Sequence, residues 1–182
     1  MQKKSSTSAT KSAKNSNTTF LTFNITQKLA ISGIVIALYL VTMNLTQSFA
    51  FGQYQVRIAT SLYALSAIFP FLILPLGLSN LLSNIMLGSL GFLDAFGGLI
   101  AGLLTSYFVY LIKKSPRIPN VLIGLPILLI PGLLVPIWLS YLLNLPYLVL
   151  AVSLCVGQFF AAIVGVILHQ VLEKRLKTNE QK

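Results

Sequence analysis

The sequence predicts an all-α integral membrane protein of six transmembrane helices, with both termini on the cytoplasmic side. Three observations carry this. Of 182 residues, 55% are apolar and only 9% charged, with mean hydropathy +0.84, whereas soluble chains carry about 25% charged residues. The 13 Lys and Arg against 3 Asp and Glu give a net charge of +10, and the basic residues fall into three clusters rather than over one folded face. Between the clusters lie two long blocks. Residues 29–112 contain only Arg57 and Asp94 as charges, and residues 118–172 contain none. A spanning helix needs about 20 residues, so the blocks hold four and two spans. Basic flanks mark the cytoplasmic side, so each block must hold an even number, which four and two satisfy.

The elements follow in order. Residues 1–27, rich in Ser, Thr, Lys and Asn, read as a disordered basic cytoplasmic tail, because so few apolar groups cannot offset ordering. The membrane domain covers residues 28–173, and residues 174–182 form a second tail. Span 1 is expected at Leu29 to Thr46, an uncleaved helix rather than a signal peptide, since five more spans follow. An outer loop, Gln47 to Arg57, leads to a short, irregular span 2 at Ile58 to Phe69. Pro70 and Pro75 mark the inner turn, because proline does not continue a helix interior cheaply. Span 3 runs from Leu76 to Leu90, with Gly91 at the outer turn. Span 4 starts after Asp94 and ends at Ile112. Span 5, Val121 to Leu143, carries Pro126, Pro131 and Pro136 as expected kinks. Asn144 and Pro146 make the last outer turn, and span 6 covers Tyr147 to Leu172.

Several chemistries are excluded by what the chain lacks. There is no phosphate-cradling G-x-x-x-x-G-K-[ST] and no H-E-x-x-H or G-x-S-x-G. One histidine and one membrane-embedded carboxylate, Asp94, leave no acid pair for an enzyme or a proton relay. No metal, cofactor or nucleic acid is expected. The lone cysteine, Cys155, forms no internal disulfide and reads as a small packing residue. What remains is a binding or permeation unit in membrane lipid, powered, if at all, by a partner.

Polar residues in hydrocarbon are costly and therefore informative. Asn80 and Asn84, four apart on span 3, share a face with Ser83 beside them. They serve either as interhelical glue or as a ligand-facing amide pair. Arg57 follows Gln53, Tyr54 and Gln55 at the outer end of span 2, as an interfacial anchor or as part of a lid over an outward pocket. Asp94 is read as an N-cap carboxylate of span 4 or as a partner of Arg57. Thr60 and Tyr63 on span 2 and Gln158 on span 6 are candidates to line the same cavity, and Trp138, with Tyr141 and Asn144 at the outer end of span 5, is either one of the interfacial aromatics or a pocket wall. The polar groups gather in the outer half, which predicts a cup open to the outside and closed below. Small residues form a second pattern: Ala30, Gly33 and Ala37 on span 1, Gly98 and Gly102 on span 4, and Gly157, Ala161 and Gly165 on span 6. These let helices approach closely, and the span 1 stripe could receive a partner's helices.

The order Tyr54-Gln55-Val56-Arg57-Ile58, Asn84, Gly91-Phe92-Leu93-Asp94 with Gly97, Lys113-Lys114, Leu145-Pro146-Tyr147 and Val156-Gly157-Gln158 resembles one class of proteins. It is similar to the substrate-binding S components of energy-coupling factor (ECF) vitamin transporters, and within them to the QueT-type queuosine-precursor transporters, over about residues 28–176. The resemblance implies a non-enzymatic subunit of an ABC-type importer in a prokaryotic cell membrane. Its partners would be a transmembrane T component and two cytoplasmic ATPases. Its substrate contacts would come from Gln53, Tyr54, Gln55, Arg57, Thr60, Asn80, Asn84, Asp94, Trp138 and Gln158, and its partner interface from Ala30, Gly33 and Ala37. The chain departs from the family's pattern at two places, with Ala59-Thr60 where Ser-Glu is usual and Gly157-Gln158 where Gly-Glu is usual. Two carboxylates that would pair a cationic ligand are thereby absent, which brings in cobalamin as an alternative substrate. The rival readings are a structural membrane subunit without a ligand and a stand-alone permease.

Overall fold

The computed structural model of the chain describes residues 23–50, 55–88 and 90–180. Among these the secondary structure is helical throughout. Five segments are long and apolar enough to cross a membrane: Ile25–Leu45, Pro70–Leu87, Phe92–Lys114, Asn120–Leu143 and Tyr147–Thr178. The sixth expected span is the short helix Ile58–Ala67. Residues 1–22 of the expected N-terminal tail lie outside the described residues.

Helix α1, Ile25–Leu45, begins ahead of the expected Leu29. The Asn24 main-chain N–H donates to Gln27 Oε1 at 3.0 Å, which satisfies a group the first turn leaves open. Only Val35, Tyr39 and Met43 are buried on it. Their spacing of four makes one narrow stripe, so most of α1 faces away from the bundle. A four-residue helix α2, Gln47–Ala50, follows.

Ile58–Ala67 is a ten-residue 3-10 helix, longer than such helices usually run. Its sequence has a period of three, which suits three residues per turn. Thr60, Tyr63 and Ser66 form a polar column continuing from Arg57, while Ser61, Ala64 and Ala67 form a small one. Both columns are buried. Drawn out as a 3-10 helix, ten residues cover about 20 Å instead of about 15 Å as an α-helix. The extra reach lets a short segment serve as a central post, packed against α1, α4 and α6. Its small column meets Gly165 of α6: a β-carbon there would lie 3.1 Å from the Ser61 carbonyl oxygen and 3.5 Å from Ala64 Cβ.

The expected inner turn is placed differently. Pro70 opens a three-residue 3-10 turn, Pro70–Leu72, and α3 already runs from Ile73 to Leu87. Pro75 therefore lies in the first turn of α3, where its missing N–H would have had no helical partner anyway. Gly91 does mark the turn into α4, Phe92–Lys114; its φ of +83 with ψ of −167 is a backbone conformation suited to glycine. Gly91 is also the N-cap, so Asp94 is the third residue of α4 and not its cap. Lys113 and Lys114 sit in the last turn, favourably placed against the helix dipole.

A short 3-10 turn, Asn120–Ile123, leads into α5, Gly124–Leu143, which continues through Pro131 and Pro136 with both prolines buried. Asn144 ends it in a left-handed conformation. Helix α6, Tyr147–Glu180, has 34 residues and a length of about 51 Å. It exceeds a hydrocarbon core of about 30 Å and carries helix into the segment expected to be a tail. Cys155 packs against Gly132 of α5. At this end of the bundle Glu173 of α6 gathers Lys177 at 2.7 Å, Lys113 at 3.0 Å, His169 at 3.1 Å and Asn120 at 3.2 Å, which ties α4 and the Asn120–Ile123 turn to α6.

Candidate functional site

The opposite end of the bundle holds the polar residues singled out from the sequence. Gln55, Arg57, Thr60, Asn80, Asn84, Asp94 and Gln158 are all under a tenth exposed. Arg57, Asn80, Asn84, Asp94, Thr60 and Gln158 take part in side-chain hydrogen bonds at this end, most of them between helices. The reason is desolvation: in a helix bundle, polar groups without water find each other. Gln53 and Tyr54 lie outside the described residues. Gln55, with a φ of 41, holds the sharp approach to Arg57.

Arg57 starts the central 3-10 helix. Its Nη1 donates to Asn80 Oδ1 at 3.4 Å and its Nε to the Ala50 carbonyl at 3.4 Å. Asn80 Nδ2 in turn donates to the Tyr63 hydroxyl at 2.9 Å, and the Tyr63 and Tyr39 hydroxyls are 3.2 Å apart. One chain of hydrogen bonds thus runs from Arg57 through α3 and the 3-10 helix to α1. One turn further along α3, Asn84 Nδ2 donates to the Asp94 main-chain carbonyl at 3.0 Å. The Asp94 carboxylate accepts from the Trp138 indole N–H at 3.0 Å, joining α4 to α5. The Thr60 hydroxyl lies 2.6 Å from the Arg57 carbonyl and 2.8 Å from the Gln158 side-chain amide, joining the 3-10 helix to α6.

Trp138, expected among either the interfacial aromatics or the pocket walls, is half-buried and held by Asp94. Its ring lies on Gly97, whose added β-carbon would approach it to 2.6 Å. The structure therefore brings together Arg57, Asn80, Asn84, Asp94 and Trp138, with Thr60 and Gln158 as a second pair. Tyr39 was missed by the sequence reading because a tyrosine in an apolar span looks like packing. Its one signal is the position in register with Val35 and Met43. Ala30, Gly33 and Ala37 lie apart from this network, exposed on α1, and a β-carbon at Gly33 would have nothing within 4 Å.

The network has one acceptor left over. Asn84 Oδ1 is buried and has no hydrogen-bond partner among the described residues. An open cleft lined by Asn120, Gln170, Glu173, Lys174, Lys177 and Thr178 lies at the other end of the bundle, away from these groups.

Comparison with protein families matches the chain to the QueT transporter family over residues 29–174. Neither curated proteins nor solved structures return a match. The match covers most of the chain, which belongs to the QueT transporter family: a multi-pass membrane transporter, not an enzyme.

Proposed function

We propose that the chain is the substrate-capturing S component of an ECF-type importer in a prokaryotic plasma membrane, taking up a queuosine precursor. The observation that carries the proposal is the buried Arg57–Asn80–Asn84–Asp94–Trp138 network with its one unpartnered acceptor. Among the described residues of this network Asn84 Oδ1 is buried without a hydrogen-bond partner, which leaves an acceptor for a ligand. The charge pattern puts the Arg57 end outside and the Lys113 and Glu173 end inside, so the ligand arrives where these groups are. The sequence contains no phosphate-binding loop, which suits a subunit whose energy is supplied by ATPase partners. The exposed stripe Ala30, Gly33 and Ala37 on α1 is the surface offered to the T component.

Cobalamin in the same role is the second reading. The Thr60–Gln158 pair is neutral, so this part of the site offers no carboxylate to a cationic amine.

The experiment is affinity purification of the tagged chain from its own cells, with uptake measured for 7-deazaguanine-type precursors and for cobalamin. Co-purification of a T component with two ATPases, and loss of uptake in Gly33→Leu, are expected. Recovery of the chain without partners, and unchanged uptake in Gly33→Leu, would mean a stand-alone permease or a structural subunit.

A further inference from the structure

We infer that Gly98 is a specificity-determining position, because it sets where the one unpartnered acceptor of the network, Asn84 Oδ1, is held. This rests on the reading of the Arg57 end as a ligand site.

The partners of the two amides fix which way each one points. A guanidinium only donates, so Arg57 requires Asn80 to face it with Oδ1, and Asn80 Nδ2 is then used on Tyr63. A main-chain carbonyl only accepts, so Asp94 requires Asn84 to face it with Nδ2. The orientation follows from the network rather than from telling oxygen from nitrogen. Asn80 is spent at both ends. Asn84 is spent at one end and presents an acceptor at the other, 3% exposed as a residue and without a partner among the described residues. Such an acceptor selects a ligand with an N–H or O–H at that point and disfavours a carboxylate or phosphate edge there.

Gly98 holds this arrangement. A β-carbon on Gly98 would lie 2.5 Å from Asn84 Nδ2 and 3.1 Å from Asn80 Oδ1. The atoms in the way are side-chain amide ends, so the bundle can absorb a methyl group by swinging the Asn84 amide off the Asp94 carbonyl. Gly102, one turn on, is different: a β-carbon there would lie 3.1 Å from Gly77 Cα, which is backbone of α3, 3.2 Å from the Tyr63 hydroxyl and 3.4 Å from Asn80 Cβ. Of this G-x-x-x-G pair, Gly102 is held first by helix packing, while Gly98 meets only the amide groups of Asn80 and Asn84.

The test uses the purified full-length chain, with 7-deazaguanine as the probe because it carries several N–H donors. Trp138 is the single tryptophan and is held by Asp94, so its emission reports the position of this corner without any ligand. Gly98→Ala should shift that emission and weaken binding by roughly tenfold or more, the loss of one buried hydrogen bond, while the melting temperature falls less than it does in Gly102→Ala. Gly102→Ala should do the reverse, lowering the melting temperature with less effect on binding. Gly98→Ala combined with Asn84→Ser removes the collision and should still bind poorly, because the amide oxygen is gone. Recovery of full affinity in that double variant, or unchanged emission and affinity in Gly98→Ala, would overturn the inference. If the wild-type chain does not bind 7-deazaguanine, the substrate reading above fails; the emission of Gly98→Ala then still decides whether Gly98 positions Asn84.

Discussion

The two ends of the bundle each gather their polar side chains around one carboxylate, but in different ways. Asp94 is 2% exposed and accepts from a neutral indole, within a network of amides and hydroxyls. Glu173 has a side chain 20% exposed and is surrounded by Lys113, Lys177 and His169. The first arrangement depends on geometry, because a buried donor or acceptor without its partner is costly. The second depends on charge, which water and salt screen. A directional network can read the shape of a molecule, whereas the ionic cluster fastens helix ends together.

The largest effect is expected where one side chain holds two others. Asn80→Leu strips both the Arg57 guanidinium and the Tyr63 hydroxyl of a partner. It should cost about 2–4 kcal/mol, the loss of two buried hydrogen bonds, one of them to a charged group, read as a fall in the unfolding midpoint in detergent. Trp138→Phe comes next. It keeps a ring over Gly97 and removes only the donor to Asp94, for about 1–3 kcal/mol. Thermal unfolding followed by circular dichroism measures it without relying on tryptophan emission. Glu173→Gln should be smallest, about 1 kcal/mol in total, because its lysine partners stay in reach of water and the glutamine can still accept hydrogen bonds from them. Raising salt should weaken the wild-type Glu173 end and leave the Arg57 end almost unchanged. If Glu173→Gln proved more destabilising than Asn80→Leu, the contrast between a directional end and an ionic end would be broken.

Much of this was legible in the residues. The charge-free blocks mark out the spans because burying a charge in hydrocarbon is expensive wherever it lies. The Asn80–Asn84 face, Arg57 and Asp94 stand out because polar as well as charged groups in hydrocarbon need partners. Other features could not be read. Asp94 looked like a cap because a carboxylate at a helix start usually is one; that Gly91 takes the cap and Asp94 reaches Trp138 depends on how α4 meets α5. Pro70 and Pro75 both looked like turn residues, and only the onset of α3 at Ile73 separates them. Span 2 was recognised as short, while its 3-10 form follows from its place in the middle of the bundle, where each column of a three-residue repeat finds its own neighbour.

What the sequence determined by itself is the one-dimensional part: which segments are apolar enough to cross, where basic clusters divide them, and which polar residues must find partners. These depend on composition along the chain and on the cost of transfer into lipid. The tertiary structure decided which polar groups meet. It spent both ends of Asn80, left one end of Asn84 open, and laid Gly98 against that amide, because those relations depend on distances between helices that no spacing along a single helix specifies.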